Sequence, residues 1–149
     1  PNDSAMPAGN SVQALNLLRL AILFDRKYYR EKAEAIFRAF GRNMLDSPGS
    51  SEQLACALDF LHDRVKEIAI VGEADSPRTR ALLRTVYDRY LPNKVVVHAS
   101  KRLEETPLPL LKNRGCKDDL PTAYVCERYG CQMPVTSPDK LAKQLDERR

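Results

Sequence analysis

Between Val12 and Leu23 the sequence puts apolar side chains on nearly every side of a helix. Val12, Ala14, Leu15, Leu17, Leu18, Leu20, Ala21, Ile22 and Leu23 are interrupted only by Gln13, Asn16 and Arg19. A helix without a polar stripe has to be covered on most of its sides. Gly9-Asn10-Ser11 just before it supplies turn and N-cap chemistry. A second helix begins near Asp25, where Tyr29, Ala33, Ile36, Phe37, Phe40 and Met44 repeat at helical spacing and leave the other face polar. Asp46-Ser47-Pro48-Gly49 ends it. Ser50 with Gln53 predicts a capping box for a third helix, whose apolar face is Leu54, Ala57, Leu58 and Leu61. Three helices cannot bury all the apolar surface that the first one offers. The cover must come from the rest of the chain or from helices that the natural protein adds. The chain starts Pro-Asn-Asp-Ser with no initiator Met, so it reads as a piece of a longer polypeptide.

The pattern changes between Asp63 and Lys66. Ile68-Ala69-Ile70-Val71 is a short apolar run ending at Gly72, which predicts a buried strand. Ser76-Pro77 is an N-cap followed by proline at the first helical position. Leu82, Leu83, Val86, Tyr87 and Tyr90 form the apolar face of that helix, Leu91-Pro92-Asn93 breaks it, and Val95-Val96-Val97 predicts a second strand. Strand, helix, strand is a βαβ unit with parallel strands and a right-handed crossover. Residues 99–121 carry three prolines and many charges and read as a long loop. Tyr124-Val125-Cys126 is a third short strand. Ser137-Pro138-Asp139 opens a last helix anchored by Leu141 and Leu145. The expected fold class is therefore mixed α and α/β. A helical part, residues 1–64, precedes a small α/β domain, residues 65–149, with a short, mostly parallel sheet.

Lys plus Arg exceeds Asp plus Glu by 24 to 20 among 149 residues, a net charge of +4. The excess is scattered and includes the tail Glu147-Arg148-Arg149, and no basic run interleaves with aromatics, which argues against nucleic acid. No stretch reaches the about 20 apolar residues of a membrane span, and no secretory signal is read here, which in a piece cut from a longer chain says nothing about the parent. Four cysteines are too few for a disulfide scaffold and favour a reducing, cytoplasmic setting.

The stretch "AYVCERYGCQMPV", residues 123–135, holds Cys126 and Cys131. The spacing Cys-x4-Cys is not the Cys-x-x-Cys of thioredoxin-like centres. A disulfide needs Cα atoms about 4.4–6.8 Å apart, so a tight turn at Gly130 would be required. Three readings stand: a redox or structural disulfide, half of a metal site, or two thiols packed as small hydrophobes. A metal would need further ligands, with Cys116 and His98 as candidates, and the spacing fits no zinc module. No metal or other cofactor is expected. His62 and His98 read as structural. The loop Gly72-Glu73-Ala74-Asp75-Ser76 has one glycine and two acids, so it reads as a helix cap rather than a nucleotide site. No catalytic constellation closes within these residues.

Three strings, "AGNSVQALNLLRLA" at 8–21, "YLPNKVVV" at 90–97 and "TAYVCERYGCQMPVTSPDKL" at 122–141, resemble the C-terminal end of the spermatogenesis-associated protein 20 family. They keep the family's order and approximate spacing, and the likeness covers nearly the whole chain. The resemblance implies a parent with an N-terminal thioredoxin-like domain, then an α/α toroid of the six-hairpin type, then a small α/β segment. Residues 1–64 would be the end of the toroid, in which inner helices are buried on all sides. Similar toroids occur in glycosidases and N-acylglucosamine 2-epimerases.

Cys126 and Cys131 both match the family pattern and form the candidate redox pair. Gly9-Asn10-Ser11 also matches it. By the resemblance, Asn10 and Ser11, with Asp3 just upstream, are candidate sugar-binding residues at the toroid mouth; their alternative role is helix capping. The implied partners are the rest of the same polypeptide, including the thioredoxin-like domain, and a small carbohydrate. The leading expectation is a non-catalytic C-terminal piece of a protein with thiol redox chemistry. One alternative is part of a carbohydrate-active toroid enzyme. Another is a module that docks the thioredoxin-like domain through residues 124–135.

Overall fold

The computed structural model describes residues 2–100, 103, 105–128 and 130–147. Pro1, the tail residues Arg148 and Arg149, loop residues 101, 102 and 104, and Tyr129 lie outside the described residues. The chain divides into two compact units, Pro1–Asp63 and Arg64–Arg149.

The first unit holds three helices, α1 (Gly9–Phe24), α2 (Lys27–Asp46) and α3 (Glu52–His62), with a 3-10 turn at Pro48–Ser50. α1 packs on both α2 and α3. Ala14, Leu54 and Ala57 are fully buried, and Leu15, Ile36, Phe37, Phe40 and Met44 pack against them. Phe60, outside the expected apolar face of α3, is also buried. The cover of α1 is partial. Ala14, Leu17 and Leu18 are buried, residues 20–24 are half-buried, and Val12 is exposed. Two partner helices cover two sides of a cylinder, and the apolar residues occupy more than two.

Both expected caps differ from what forms. α1 starts at Gly9 after Ala8, so Asn10 and Ser11 lie inside its first turn and neither caps it. The Ser50–Gln53 box is not made. Ser50 Oγ instead donates to Ser47 O at 2.9 Å, and Ser51 occupies the N-cap of α3 without a side-chain bond. The acceptor that α3 needs comes from Asp3, as described below.

The second unit contains β1 (Lys66–Val71), α4 (Pro77–Tyr87), β2 (Lys94–Ala99), β3 (Thr122–Glu127), β4 (Gly130–Cys131) and α5 (Pro138–Asp146). The strand order is β2-β1-β3-β4. β1 and β2 pair in parallel through α4, from Lys66 opposite Lys94 to Val71 opposite Ala99. β3 pairs antiparallel with β1, and β4 antiparallel with β3. The sheet is thus mixed, not mostly parallel. Only the β1–β2 connection contains a helix long enough for a crossover. β3 enters from the long loop on the other edge of β1, and β4 follows across a two-residue turn, which can only give an antiparallel neighbour.

Alternation along the strands sends their side chains to opposite faces. Ile68 and Ile70 of β1 and Ala123 and Val125 of β3 meet Leu82 and Val86 of α4 and Leu141 and Leu145 of α5. The other face of β1 and β2 carries the 3-10 turn Pro109–Leu111, whose Leu110 and Leu111 are buried. Part of the 99–121 loop is therefore a lid of the core. Gly72, just past β1, has φ +156°, and a Cβ there would lie 2.6 Å from Thr79 Oγ1 and 2.7 Å from Pro121 Cβ.

Candidate functional site

Cys126 and Cys131 face each other across β3 and β4 and are joined by a disulfide, with Cα atoms 4.0 Å apart. Gln132 N–H donates to Val125 O at 2.9 Å, which makes Cys126–Cys131 a non-hydrogen-bonded pair, the closer of the two antiparallel spacings. That closer spacing, about 4.5 Å between Cα atoms, lies at the short end of the range a disulfide spans. Glu127 pairs with Gly130, and the turn between them starts at Arg128 in the left-handed region (φ 48°). The two sulfurs differ in access. Cys126 is 1% exposed, whereas Cys131 is exposed.

Cys126 lies on the sheet face away from α4 and α5, beside Tyr124 of β3 and opposite Glu67 of β1. Arg114, from the long loop, covers this face. Its Nη2 lies 3.1 Å from Cys126 Sγ and 3.4 Å from Cys131 Sγ. Its guanidinium carbon sits 5.2 Å from the centroid of the Tyr124 ring, within cation–π range. The Tyr124 hydroxyl donates to Gly115 O at 2.7 Å and accepts from Gly115 N–H at 3.3 Å, which fixes the backbone next to Arg114. Thr122 Oγ1 adds a second clamp, accepting from Lys117 N–H and donating to Leu120 O, both at 2.8 Å. Burial pulls the Arg114 pKa down from its ordinary value, while the nearby Tyr124 and Glu67 push it back up. Such a guanidinium stays charged throughout the physiological range. Its other terminal nitrogen, Nη1, is buried and makes no hydrogen bond among the described residues.

The turn end of the hairpin is pinned by an ion pair. Lys66 Nζ, at the start of β1, lies 2.5 Å from Glu127 Oε1 and also donates to Glu147 O at 3.0 Å. The two side chains are only 10% and 14% exposed. Cys116 is a free, exposed cysteine whose sulfur lies 3.7 Å from Val71 O, and His98 Nε2 lies 2.8 Å from Gly72 O, so that nitrogen carries the proton. Neither joins the sulfur pair. Among the described residues no group of three or more His, Cys, Asp or Glu side chains is placed to hold a metal ion. His62 sits exposed in the last turn of α3.

In the helical unit, Asp3 is buried and its carboxylate is fully engaged by backbone donors. Oδ1 accepts from Ala8 N–H at 2.7 Å, and Oδ2 accepts from Gln53 and Leu54 N–H at 3.0 and 3.2 Å. Burial alone would raise its pKa; the Ala8, Leu54 and Gln53 N–H groups and the nearby Ser11 hydroxyl together bring it below the usual aspartate value. Ser11 is buried beside Asp3 without a hydrogen bond of good geometry, and Asn10 is exposed.

Comparison with known proteins shows which family the chain belongs to. Over 146 residues, 96% of the chain, the sequence is 36% identical to spermatogenesis-associated protein 20 of rat, 35% to the human protein and 34% to the mouse protein. The chain belongs to the spermatogenesis-associated protein 20 family. It corresponds to the C-terminal part of these relatives and spans only 18–19% of their length. No family model matches the chain, and no solved structure matches it. No helix among the described residues is long and apolar enough to cross a membrane.

In this chain the two sulfurs were legible from the sequence and what surrounds them was not. Nothing local distinguishes Arg114 from Lys112 or Lys117 in the same loop. The one available signal was Tyr124, a polar-tipped aromatic in the third strand, whose hydroxyl needs a partner when packed.

Proposed function

We propose that this chain supplies a thiol–disulfide exchange element to the longer protein of which it is a part, with the Cys126–Cys131 bridge opening and closing reversibly. The observation that carries this reading is the asymmetric, guanidinium-covered bridge: one buried sulfur, one exposed sulfur, and Arg114 Nη2 within 3.4 Å of both. A bridge serving only as a staple has no need of a cation at its sulfurs, whereas a cation favours the thiolate that exchange chemistry requires. In a reducing, cytoplasmic setting, a disulfide is more often catalytic or sensing than structural. The natural electron partner is a thioredoxin-like domain in the same polypeptide, and the helical unit would be the end of an α/α toroid.

A carbohydrate-binding toroid mouth would have to rely chiefly on Asn10 among the three candidates. Both oxygens of Asp3 are taken up by backbone donors, and Ser11 is buried. The exchange reading is therefore preferred. Its test is equilibration of the protein in a glutathione redox series, then alkylation and intact mass. Cys56 and Cys116 are free and exposed, so the oxidised chain takes two labels and the reduced chain four. A reversible two-to-four transition with a midpoint between about −270 and −200 mV supports exchange. A midpoint below about −300 mV makes the bridge a structural staple.

A further inference from the structure

The exposed and buried sulfurs of one bridge cannot react alike when a single cation contacts both. We propose that Arg114 sets the direction of exchange: an incoming thiolate attacks Cys131, and Cys126 leaves as a thiolate held by the Arg114 guanidinium. This rests on the exchange reading above and adds to it which sulfur is attacked and which group stabilises the leaving one.

Access decides the attacked atom. Thiol–disulfide exchange needs the nucleophile in line with the S–S bond. Cys131 Sγ is on an exposed residue of β4, the edge strand, while Cys126 is 1% exposed beneath Arg114. Charge decides the leaving atom. Exchange is faster when the departing thiol has a lower pKa. Arg114 Nη2 is closer to Cys126 Sγ, at 3.1 Å, than to Cys131 Sγ, at 3.4 Å.

The guanidinium is also under-supplied while the bridge is closed. Disulfide sulfurs are weak acceptors, Nη1 is buried without a hydrogen bond among the described residues, and the π face of Tyr124 offers a soft partner. A thiolate at Cys126 would add an anion in contact with Arg114, beyond the charge of nearby Glu67. Other charged or titratable groups near Cys126 include Glu67 on β1, Tyr124 and Glu127 on β3, Arg128 in the turn and Cys116 in the loop. Glu127 is committed to Lys66, and Cys116 to the end of β1. Glu67 is an acid across the ladder from Cys126 and opposes a thiolate there, and Arg114 is the cation in contact with the sulfur.

The step balances with a thiol as co-reactant. The thiolate R–S⁻ bonds to Cys131 Sγ, the Sγ–Sγ bond breaks, and its electron pair stays on Cys126 as S⁻. The product is a mixed disulfide, R–S–Cys131. The chemistry favours a dithiol as the physiological reductant. Its second thiolate then attacks the R sulfur, forms the reductant's own disulfide and releases Cys131 as a thiolate, which takes a proton from water. The reductant is oxidised by two electrons and the bridge reduced by two.

The test uses the intact protein. The oxidised form is mixed with limiting glutathione, quenched in acid, alkylated and mapped by peptide mass. The expected adduct is glutathione on Cys131 with Cys126 alkylated. Dithiothreitol should reduce Arg114→Gln about five- to tenfold more slowly than the parent protein, and Arg114→Lys should recover most of the rate. In the reduced protein, the pH midpoint for alkylation of Cys126 should move up in Arg114→Gln and return in Arg114→Lys, which a purely structural role would not produce. Adducts on Cys126, or an Arg114→Gln protein with unchanged rate and midpoint, would overturn the assignment while leaving exchange intact. A parent bridge that never opens in glutathione overturns both. The adduct map needs no variant, so a poorly folding Arg114→Gln does not rescue the proposal.

Discussion

Replacing Asp3 by alanine should cost the helical unit about 2–4 kcal/mol. The carboxylate is 8% exposed and receives three backbone N–H groups, from Ala8, Gln53 and Leu54. Gln53 and Leu54 share one oxygen and act as a single N-cap, for which measured losses are about 0.5–2 kcal/mol. Ala8 is a separate bond to a charged acceptor, worth about 1.5–3 kcal/mol. Adding the two terms and allowing for water reaching the freed groups gives the range above. Asp3→Asn keeps one carbonyl oxygen and should lose about half as much. The pH dependence has a definite sign. Burial would raise the Asp3 pKa, but its hydrogen bonds outweigh this and set it below the ordinary value of 3.8. Its stabilisation is therefore fully present above about pH 4 and disappears as the pH falls through the lowered folded value. Urea unfolding at pH 7 and pH 3 should show a smaller gap between parent and Asp3→Asn at the lower pH. Amide exchange at Gln53 and Leu54 should speed up in Asp3→Ala. A loss under 0.5 kcal/mol at pH 7, with those amides still protected, would refute the capping role and free the carboxylate for another.

Three further outcomes follow from the α/β unit. Lys66→Met strands a Glu127 carboxylate that is 14% exposed and should cost about 2–3 kcal/mol by chemical denaturation; adding Glu127→Leu should recover most of it, and a double variant no better than the single would count against the ion pair. Gly72→Ala drives a Cβ to 2.6 Å from Thr79 Oγ1 and should cost about 2–3 kcal/mol; a neutral result would mean that Thr79 and Pro121 move aside freely. Tyr124→Phe removes both hydrogen bonds to Gly115, should cost about 1–2 kcal/mol, and should raise the pH midpoint for Cys126 alkylation by less than Arg114→Gln does; an unchanged midpoint would show that Arg114 is held without Tyr124.

The features that were legible in the sequence are those with a period or a local grammar. The β1–α4–β2 unit follows from Ile68-Ala69-Ile70-Val71, Ser76-Pro77 and Val95-Val96-Val97, because a buried strand and a proline-started helix each announce themselves within a few residues. The core face of α2 could be read from Ile36, Phe37, Phe40 and Met44 for the same reason. Where local grammar misled, a distant residue had displaced the local one. Ser50 and Gln53 have the spacing of a capping box, yet the N–H groups at the start of α3 go to Asp3, fifty residues earlier in the chain. A carboxylate is a better acceptor than a hydroxyl, and once Asp3 is delivered to the helix end the serine turns back to its own 3-10 turn. The direction of β3 was illegible because an apolar run has no polarity; only the length and content of the preceding connection bias it.

The candidate site belongs entirely to this second, non-local kind. Cys126 and Cys131 alone allow a bridge, a metal half-site or packed thiols. What separates these readings is which groups come to the sulfurs from outside the hairpin. Arg114 arrives 12 residues before Cys126, held by a tyrosine hydroxyl that grips the neighbouring glycine at both its N–H and its C=O. Lys66 reaches Glu127 from 61 residues away and fixes the strand end on which the turn is built. Each contact depends on pleat direction: a shift of β3 by one residue against β1 would send Cys126 and Tyr124 to the α4–α5 side and Val125 to Arg114. The register is held by Ala123 and Val125, which belong to the apolar core and tolerate no such shift. The burial of two small hydrophobic side chains thus decides that a cysteine sulfur, and not a valine methyl, lies under the guanidinium. The chemistry proposed for the hairpin is in this sense a consequence of how the core packs.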